Sequence, residues 1–385
     1  MKSNFQMRTA IVHEWFVDYS GSERVVEQMI NVLPNSDIYS MVEFLPESLR
    51  GFIKNKPVTT SFIQKLPLSK KMYRNYLPLM PIAVEQFDLS KYNLVISSNH
   101  AVSKGVLTGP DQLHICMCYS PIRYAWDLQH QYLKESKLDK GIKAWIAKLL
   151  LHYIRLWDVR TSNGVDHFIA ISHFIKRRIK KIYNREASVI YPPVDISNFT
   201  LHETKEDFYM TASRMVPYKK IDLIVESFSK MPNKRLIVIG DGPDWNKIQL
   251  RAASNIKLMG YQPFEVLKNY MQKAKAFVFA SEEDFGIAPL EAQACGTPVI
   301  AYGKGALLET VRGIDQDNCT GIFFEEQTVD SIMNAVSTFE EVKHRISPQI
   351  CRENAMRFSP ERFRHEFSEF VVLKWDDFKR EQNNV

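Results

Sequence analysis

The chain alternates short apolar runs with longer stretches whose apolar residues recur at helical spacing. In the first half the apolar runs predict strands at Thr9–His13, Leu94–Ser97, His114–Cys118, His167–Ile171 and Ser188–Ile190. In the second half they predict strands at Phe208–Ala212, Arg235–Ile239, Ile256–Leu258, Ala276–Phe279 and Thr297–Ala301. Helical patterns such as Glu23–Leu33 and Ile221–Ser229 fall between them. Strands alternating with helices predict parallel sheets covered by helices on both faces. The series restarts after Tyr191-Pro192-Pro193-Val194-Asp195, because paired prolines continue neither a helix nor a central strand. The domain boundary is therefore expected near 191–206. The division is an N-terminal domain over 1–195, a second over 196–360, and a C-terminal helix over 361–385 packing back toward the first. Two doubly wound domains facing across a cleft would bind ligands beyond the carboxyl ends of their strands.

Composition narrows the class. The chain has 385 residues, 45% of them hydrophobic and 24% charged. That is ample material for packed cores, and at about 150 residues per domain it fits two large ones. Fifty Lys and Arg against 44 Asp and Glu leave a net charge of +6, enough for an anionic partner without calling for nucleic acid. The five cysteines, Cys116, Cys118, Cys295, Cys319 and Cys351, form no pair of CxxC units, so a structural zinc site is not expected and a reducing compartment is. The opening MKSNFQMRTAIVHEW has no long apolar core after its charges, so no signal peptide is expected. No run reaches the roughly 18 uninterrupted apolar residues of a spanning helix. The expectation is a cytoplasmic protein, peripheral on the inner face of the membrane.

Three segments carry chemistry. In ASEEDFGIAPLEAQACGTPV, residues 280–299, an acidic loop leaves a strand and enters a short helix. Gly286 allows close backbone approach, and the helix start would aim free amides near Gly286 and Ile287 at a diphosphate. Pro289 suits the first turn, and Gly296 and Pro298 stop the helix. Glu291, placed in the first turn, could accept hydrogen bonds from sugar or ribose hydroxyls, or simply complement the helix dipole. Glu283 could reach another part of the same ligand. In SRMVPYKKID, Arg214 and Lys219 follow the first strand of the second domain. They suit either a diphosphate or a solvated basic loop. A third loop, Gly240-Asp241-Gly242-Pro243, is a short glycine turn after a strand.

In combination these segments resemble the GT-B glycosyltransferases of the large retaining family 4. The resemblance rests on the Glu-x7-Glu pair Glu283 and Glu291, on Arg214 and Lys219, on VIGDGP, and on SGSERVVEQ at 20–28, which is similar to the family's GGxER loop. It implies that Arg214 and Lys219 neutralise the donor diphosphate and that Glu291 holds the ribose. It further implies that Glu283 contacts the transferred sugar with help from the amides of Phe285, Gly286 and Ile287, with Gly242 on the donor side.

The first domain would take the acceptor, with Ser22 and Glu23 on its side. His100, just after a strand, resembles the histidine that contacts the donor sugar in this family; partial burial or helix capping would also account for it. CYSPIRYAWD at 118–127 resembles the HTPxRYxWD segment of O-antigen mannosyltransferases, which puts Tyr119, Arg123, Trp126 and Asp127 on the acceptor side. Tyr119 stands where histidine is common, and Ser20 replaces the first glycine of the loop. YPPVD at 191–195 points to the same branch. The resemblance thus implies a GDP-mannose donor and a lipid-linked saccharide acceptor.

No metal is expected. Asp315-Gln316-Asp317 has D-x-D spacing but lies in a polar turn, while Arg214, Lys219 and helix amides can stabilise the leaving group. Asn318-Cys319-Thr320 matches a glycosylation sequon that is irrelevant in a reducing cytosol. The resemblance and the lack of an obvious nucleophile imply retention without a covalent enzyme intermediate, the leaving diphosphate oxygen helping to deprotonate the acceptor. Two basic-aromatic stretches, 62–81 and 140–160, suit an anionic lipid surface or ordinary core packing. In the second, Trp145, Ile146, Leu149, Leu150, Ile154 and Trp157 would form the apolar face, and Lys140, Lys143, Lys148, Arg155 and Arg160 the basic one. Rival readings are a UDP-sugar transferase, a nucleotide-sugar epimerase and a non-catalytic carbohydrate-binding subunit.

Overall fold

The computed structural model describes residues 7–383; the first six residues of the opening stretch lie outside them. The chain divides into two compact units, one of Met1–Pro193 with Phe363–Val385 and one of Val194–Arg362.

The first unit is built on seven strands: β1 (Thr9–Phe16), β2 (Asp37–Glu43), β3 (Val58–Thr60), β4 (Leu94–Asn99), β5 (Leu113–Cys118), β6 (His167–Ala170) and β7 (Ala187–Val189). They pair in parallel in the order β3-β2-β1-β4-β5-β6-β7. The second unit has β8 (Tyr209–Ala212), β9 (Leu236–Ile239), β10 (Ile256–Leu258), β11 (Ala276–Phe279), β12 (Val299–Tyr302) and β13 (Gly321–Phe324). Its parallel order is β10-β9-β8-β11-β12-β13. Every residue of β4, β5, β9, β11 and β12 is buried, as expected of strands covered on both faces.

Both sheets are doubly wound, and strand order reverses between β1 and β4 and between β8 and β11. At such a switch point the connections leave in opposite directions, so the carboxyl ends open a ligand-sized crevice. Three strands were not legible as apolar runs. β2, DIYSMVE, has polar ends; β3 has only three residues; β13 is the four-residue GIFF next to a polar turn. β4 also runs two residues further than expected, to Asn99.

Local chemistry sets the helix limits. The helix Gly21–Val32 opens on a capping box between Ser20 and Glu23, which satisfies backbone donors at its start. The helix His173–Tyr183 is capped by Ser172, whose Oγ accepts from the Ile175 amide at 3.1 Å. The C-terminal helix Pro360–Asn383 buries Phe363, Phe367 and Val371. Within the first unit, Arg364 donates to Gln28 Oε1 at 2.6 Å and Phe370 packs edge-on against His167 at 6.3 Å.

The long helix Gly141–Ser162 corrects the expected division of its faces. Ile154 and Trp157 are buried in the unit, whereas Trp145, Ile146, Leu149 and Leu150 are exposed. Ile142, Tyr153, Leu156 and Val159 join the exposed set. Arg155 is half-buried against the body, whereas Arg160 stays exposed. Arg155 donates to the Ala125 carbonyl at 2.8 Å, and Arg160 pairs with Glu85. Among the described residues no helix is long and apolar enough to cross a membrane.

Candidate active site

In the second unit, the segments that follow β8 and β11 meet at the switch point. Arg214 is exposed, two residues past β8. Lys219 closes a short 3-10 turn, Pro217–Lys219, and its Nζ lies 2.6 Å from Glu283 Oε1. Ser281 Oγ donates to the same oxygen at 2.8 Å. The ammonium also lies 5.5 Å from the Phe279 ring centroid. A cation thus lies beside the acidic loop, paired with its carboxylate. The loop itself is pinned from behind: the Ala306 amide donates to the Glu283 carbonyl at 2.9 Å, and Glu283 bridges to Gly305.

The helix Ile287–Ala294 follows with Gly286 as its N-cap at φ +88°, a left-handed conformation that costs glycine little. A side chain there would come within 2.6 Å of Leu307. Helix geometry leaves the first amides, including that of Ile287, without acceptors inside the helix. Phe285 is buried and packs edge-on against Phe358 at 5.7 Å, so its side chain is an anchor and only its backbone faces the loop. Glu291 is the fifth residue of the helix, in the second turn rather than the first, and is buried. At that depth it is no capping residue. Gly296 closes the helix, its amide bonding the Gln293 carbonyl at 2.8 Å and the Thr297 amide bonding Ala292 at 2.9 Å, a Schellman pair.

Gly242 stands where the backbone of a neighbouring loop passes close by. A Cβ there would lie 2.4 Å from the Met215 carbonyl oxygen. The Met215 amide in turn donates to the Asp241 carbonyl at 2.9 Å. The glycine lets two loops touch, and so supports the segment bearing Arg214 from below. Its own amide donates to Asp241 Oδ1 at 2.7 Å.

The first unit gathers a second polar set at the ends of β1, β4 and β5. His13, on β1, sits opposite Ser98 on β4. His13 Nδ1 is 2.9 Å from Ser98 Oγ, and Nε2 is 3.4 Å from Glu23 Oε1. The Ser98 hydroxyl is 2.8 Å from that of Tyr119, which also reaches the Ser22 carbonyl at 3.3 Å. Burial alone would raise the Glu23 carboxyl. The hydrogen bond and charge of His13, with further hydrogen bonds from backbone and Ser22, outweigh it and bring it to about 2. Glu23 thus links the capping box to His13, and Tyr119 joins the end of β5 to β4 and to the helix that follows β1.

His100 is the first residue after β4. It is partly buried, with its ring edge-on to Trp15 at 4.7 Å and 86°. Burial lowers its pKa below the ordinary histidine value, which favours the neutral imidazole that donates or accepts a proton at one nitrogen. Trp126 is half-buried and Asp127 is exposed. The Trp126 indole donates to Asp158 Oδ2 at 2.8 Å, and Asp127 pairs with the buried Arg178, which also donates to Ser120 Oγ at 2.9 Å. Arg123 is half-buried on the same loop. Asp315 and Asp317 are exposed turn residues.

Two features were missed in the sequence. Glu14 is fully buried and accepts hydrogen bonds from the amides of residues 100–103. Lys104 is fully buried and pairs with Asp158 Oδ1 at 2.5 Å. Both sit inside apolar runs, where spacing alone gives no sign of a partner 54 or more residues away.

Residues 195–358 match the family model described as glycosyl transferases group 1. An uncharacterized glycosyltransferase of Methanocaldococcus jannaschii is 27% identical over 224 residues, 57% of this chain and 61% of that protein. The O-antigen chain mannosyltransferase RfbU of Salmonella typhimurium is 30% identical over 168 residues, 41% of this chain and 47% of that protein. The chain thus spans about half the length of the curated relatives it matches. Among solved structures, Anabaena HepE in complex with UDP aligns with a TM-score of 0.66 at 14% identity, over 95% of this chain and 100% of that one. Sucrose-phosphate synthase from Thermosynechococcus elongatus aligns with a TM-score of 0.72 at 15% identity, over 96% of this chain and 100% of that one. Two doubly wound parallel sheets and these alignments give the chain the GT-B fold, and the match to the glycosyl transferases group 1 model lies within its second unit.

Proposed function

We propose that the chain is a retaining glycosyltransferase that moves mannose from GDP-mannose to a lipid-linked saccharide. The observation that carries the reading is the convergence at one switch point of Arg214, the Lys219–Glu283 pair and the glycine-capped helix start at Gly286. A nucleoside diphosphate brings negative charge that Arg214, Lys219 and the helix amides can stabilise as it leaves. Glu283, released from Lys219, would then turn to sugar hydroxyls, and Glu291 to the ribose. The resemblance to the O-antigen branch and the relative RfbU support mannose. The leaving diphosphate oxygen would take the acceptor proton on the face it vacates, giving retention with no enzyme-bound sugar.

The acceptor reading draws on the exposed apolar residues Ile142, Trp145, Ile146 and Leu149, interleaved with exposed Lys140, Lys143 and Lys148. Leu68, Met72, Leu79 and Ile82 add exposed apolar surface to the same unit. Apolar surface of this extent flanked by lysines suits an anionic bilayer, where a lipid-linked saccharide would be found. Flotation with vesicles containing anionic lipid should be lost in Trp145→Glu with Leu149→Glu; no flotation of the unaltered protein at low salt would remove the membrane from the reading.

Product formation with GDP- and UDP-sugars and a polyprenyl-diphosphate oligosaccharide tests the whole. Mannose transfer with retained anomeric configuration, lost in Glu291→Ala, is expected. The second reading, a UDP-sugar donor, draws on the UDP bound to HepE. Transfer from a UDP-sugar alone would select it. Inverted product or a glycosyl adduct on Glu283 would end the mechanism. Donor turnover without acceptor would favour an epimerase, and nucleotide binding without any turnover a carbohydrate-binding subunit.

A further inference from the structure

The tripeptide His13-Glu14-Trp15 lies one residue before the end of β1, at the switch point of the first unit, and each side chain meets the neighbouring strand β4 or the loop beyond it. His13 bonds Ser98, and Trp15 packs on the His100 ring. Glu14 does something different. Its Oε1 accepts from the amides of His100 at 3.1 Å, Ala101 at 2.8 Å, Val102 at 2.9 Å and Ser103 at 3.1 Å. Its Oε2 accepts again from Val102 at 3.0 Å.

Successive amides turned toward one point make an anion nest, and here the anion is the protein's own carboxylate. A fully buried carboxylate needs compensation. Glu14 makes no ion pair among the described residues, so the amides supply it. Those amides belong to the four residues that begin with His100, so loop conformation and carboxylate solvation are one condition. The far end of the segment is fixed as well: Asn99 Oδ1 accepts from the Lys104 amide at 3.0 Å, and Ser103 Oγ donates to the Ser98 carbonyl at 2.8 Å.

We propose that Glu14 is a positioning residue, a buried anion around which loop 100–103 folds and which thereby fixes His100 for turnover. The inference rests on the reading of His100 as a residue that meets the donor sugar. Glu14 itself, with no exposed surface, meets no substrate.

The test uses the full chain with Glu14→Gln, Glu14→Ala, His100→Ala and the double variant Glu14→Gln with His100→Ala. Glu14→Gln keeps the shape and one carbonyl acceptor but removes the charge. Amide hydrogen exchange of residues 100–103 should rise in Glu14→Gln and rise further in Glu14→Ala, with the strands of the second unit unchanged. With GDP-mannose and the polyprenyl-linked acceptor, kcat of Glu14→Gln should fall about tenfold or more, with KM for the donor within about twofold, as loss of orientation without loss of binding. The double variant should be no slower than His100→Ala alone, because both changes remove one thing. Two results overturn the proposal: unchanged exchange at 100–103, or losses from the two substitutions that multiply. Wild-type turnover in His100→Ala would refute the His100 reading instead, while the exchange measurement still decides whether Glu14 holds the loop. If Glu14→Ala does not fold, Glu14→Gln alone carries both readouts.

Discussion

Asp158→Ala removes the hub of a buried network in the first unit. The Lys104 ammonium donates to Asp158 Oδ1 at 2.5 Å, to the Asp158 carbonyl at 3.0 Å and to Thr161 Oγ1 at 3.0 Å. It also lies over the rings of Trp157 and Tyr183 at 5.3 and 5.1 Å. The Asp158 carboxylate accepts in addition from Trp126 Nε1 at 2.8 Å and from the Tyr183 hydroxyl at 3.0 Å. Lys104 and Asp158 have no exposed surface, so water cannot replace the lost anion. Breaking a pair of this kind by removing one partner costs about 3–5 kcal/mol, because the remaining charge stays buried. The orphaned indole and hydroxyl add to that, though less than additively. A loss of about 4–5 kcal/mol corresponds to a fall in melting temperature on the order of 10–15 °C for a domain of this size. Urea unfolding followed by tryptophan fluorescence is the assay, since Trp126 and Trp157 border the network. The companion variant, Lys104→Met with Asp158→Leu, removes both charges and should recover at least half of the loss, as hydrophobic replacement of buried pairs commonly does. A loss under about 1 kcal/mol in Asp158→Ala, or equal losses in the two variants, would refute the electrostatic reasoning.

Four further outcomes are expected. His114 is buried; burial lowers its pKa to about 4, against a smaller opposing effect of the hydrogen bond to the Gly164 carbonyl. The unfolded chain therefore binds this proton first. The stabilisation is complete above about pH 6.5 and is lost between there and pH 4, roughly 3 kcal/mol in all, so His114→Gln should flatten the stability–pH slope in that window. The depressed Glu23 carboxyl acts lower, its contribution fading from about pH 4.5 to about 2; Glu23→Gln that leaves acid stability unchanged would contradict this. Gly242→Ala should destabilise the second unit by about 2 kcal/mol or more through the clash with Met215, and weaken GDP binding by moving the Arg214 segment; an unaltered urea midpoint would count against it. Glu283→Gln frees Lys219 and should tighten GDP itself about fivefold by calorimetry while abolishing transfer; weaker GDP binding would show that Glu283 does not compete for the ammonium.

How much of the site could be read beforehand depends on range. The acidic loop, the short helix and its glycine boundaries lie within twenty residues of one another, and their roles follow from local rules of capping and turn formation. Even there the helix start could not be placed to the residue, so Glu291 moved from the first turn to the second. Glu23 was legible as a motif but not as a structural residue, because its partner His13 arrives from another element. The amphipathic pattern at 140–160 held both a core face and an exposed apolar face. Spacing could not separate them, since apolar residues occur round most of the helix, interleaved with its basic ones. Only contact with Glu85, Ala125 and Asp158 shows which side is inward.

Two doubly wound sheets, the break at Tyr191–Asp195 and the placing of a basic and an acidic loop after β8 and β11 were legible in the sequence. All of these are set by periodicity and by backbone preferences that act within a few residues. Tertiary structure alone decided that Glu14 is solvated by the amides of residues 100–103, that Lys104 and Asp158 are paired in the core, and that a side chain at Gly242 would meet the Met215 backbone. Each is a requirement to satisfy a buried polar group or a close contact. Such a requirement has no signature at one position, because the group that satisfies it is brought there by the fold.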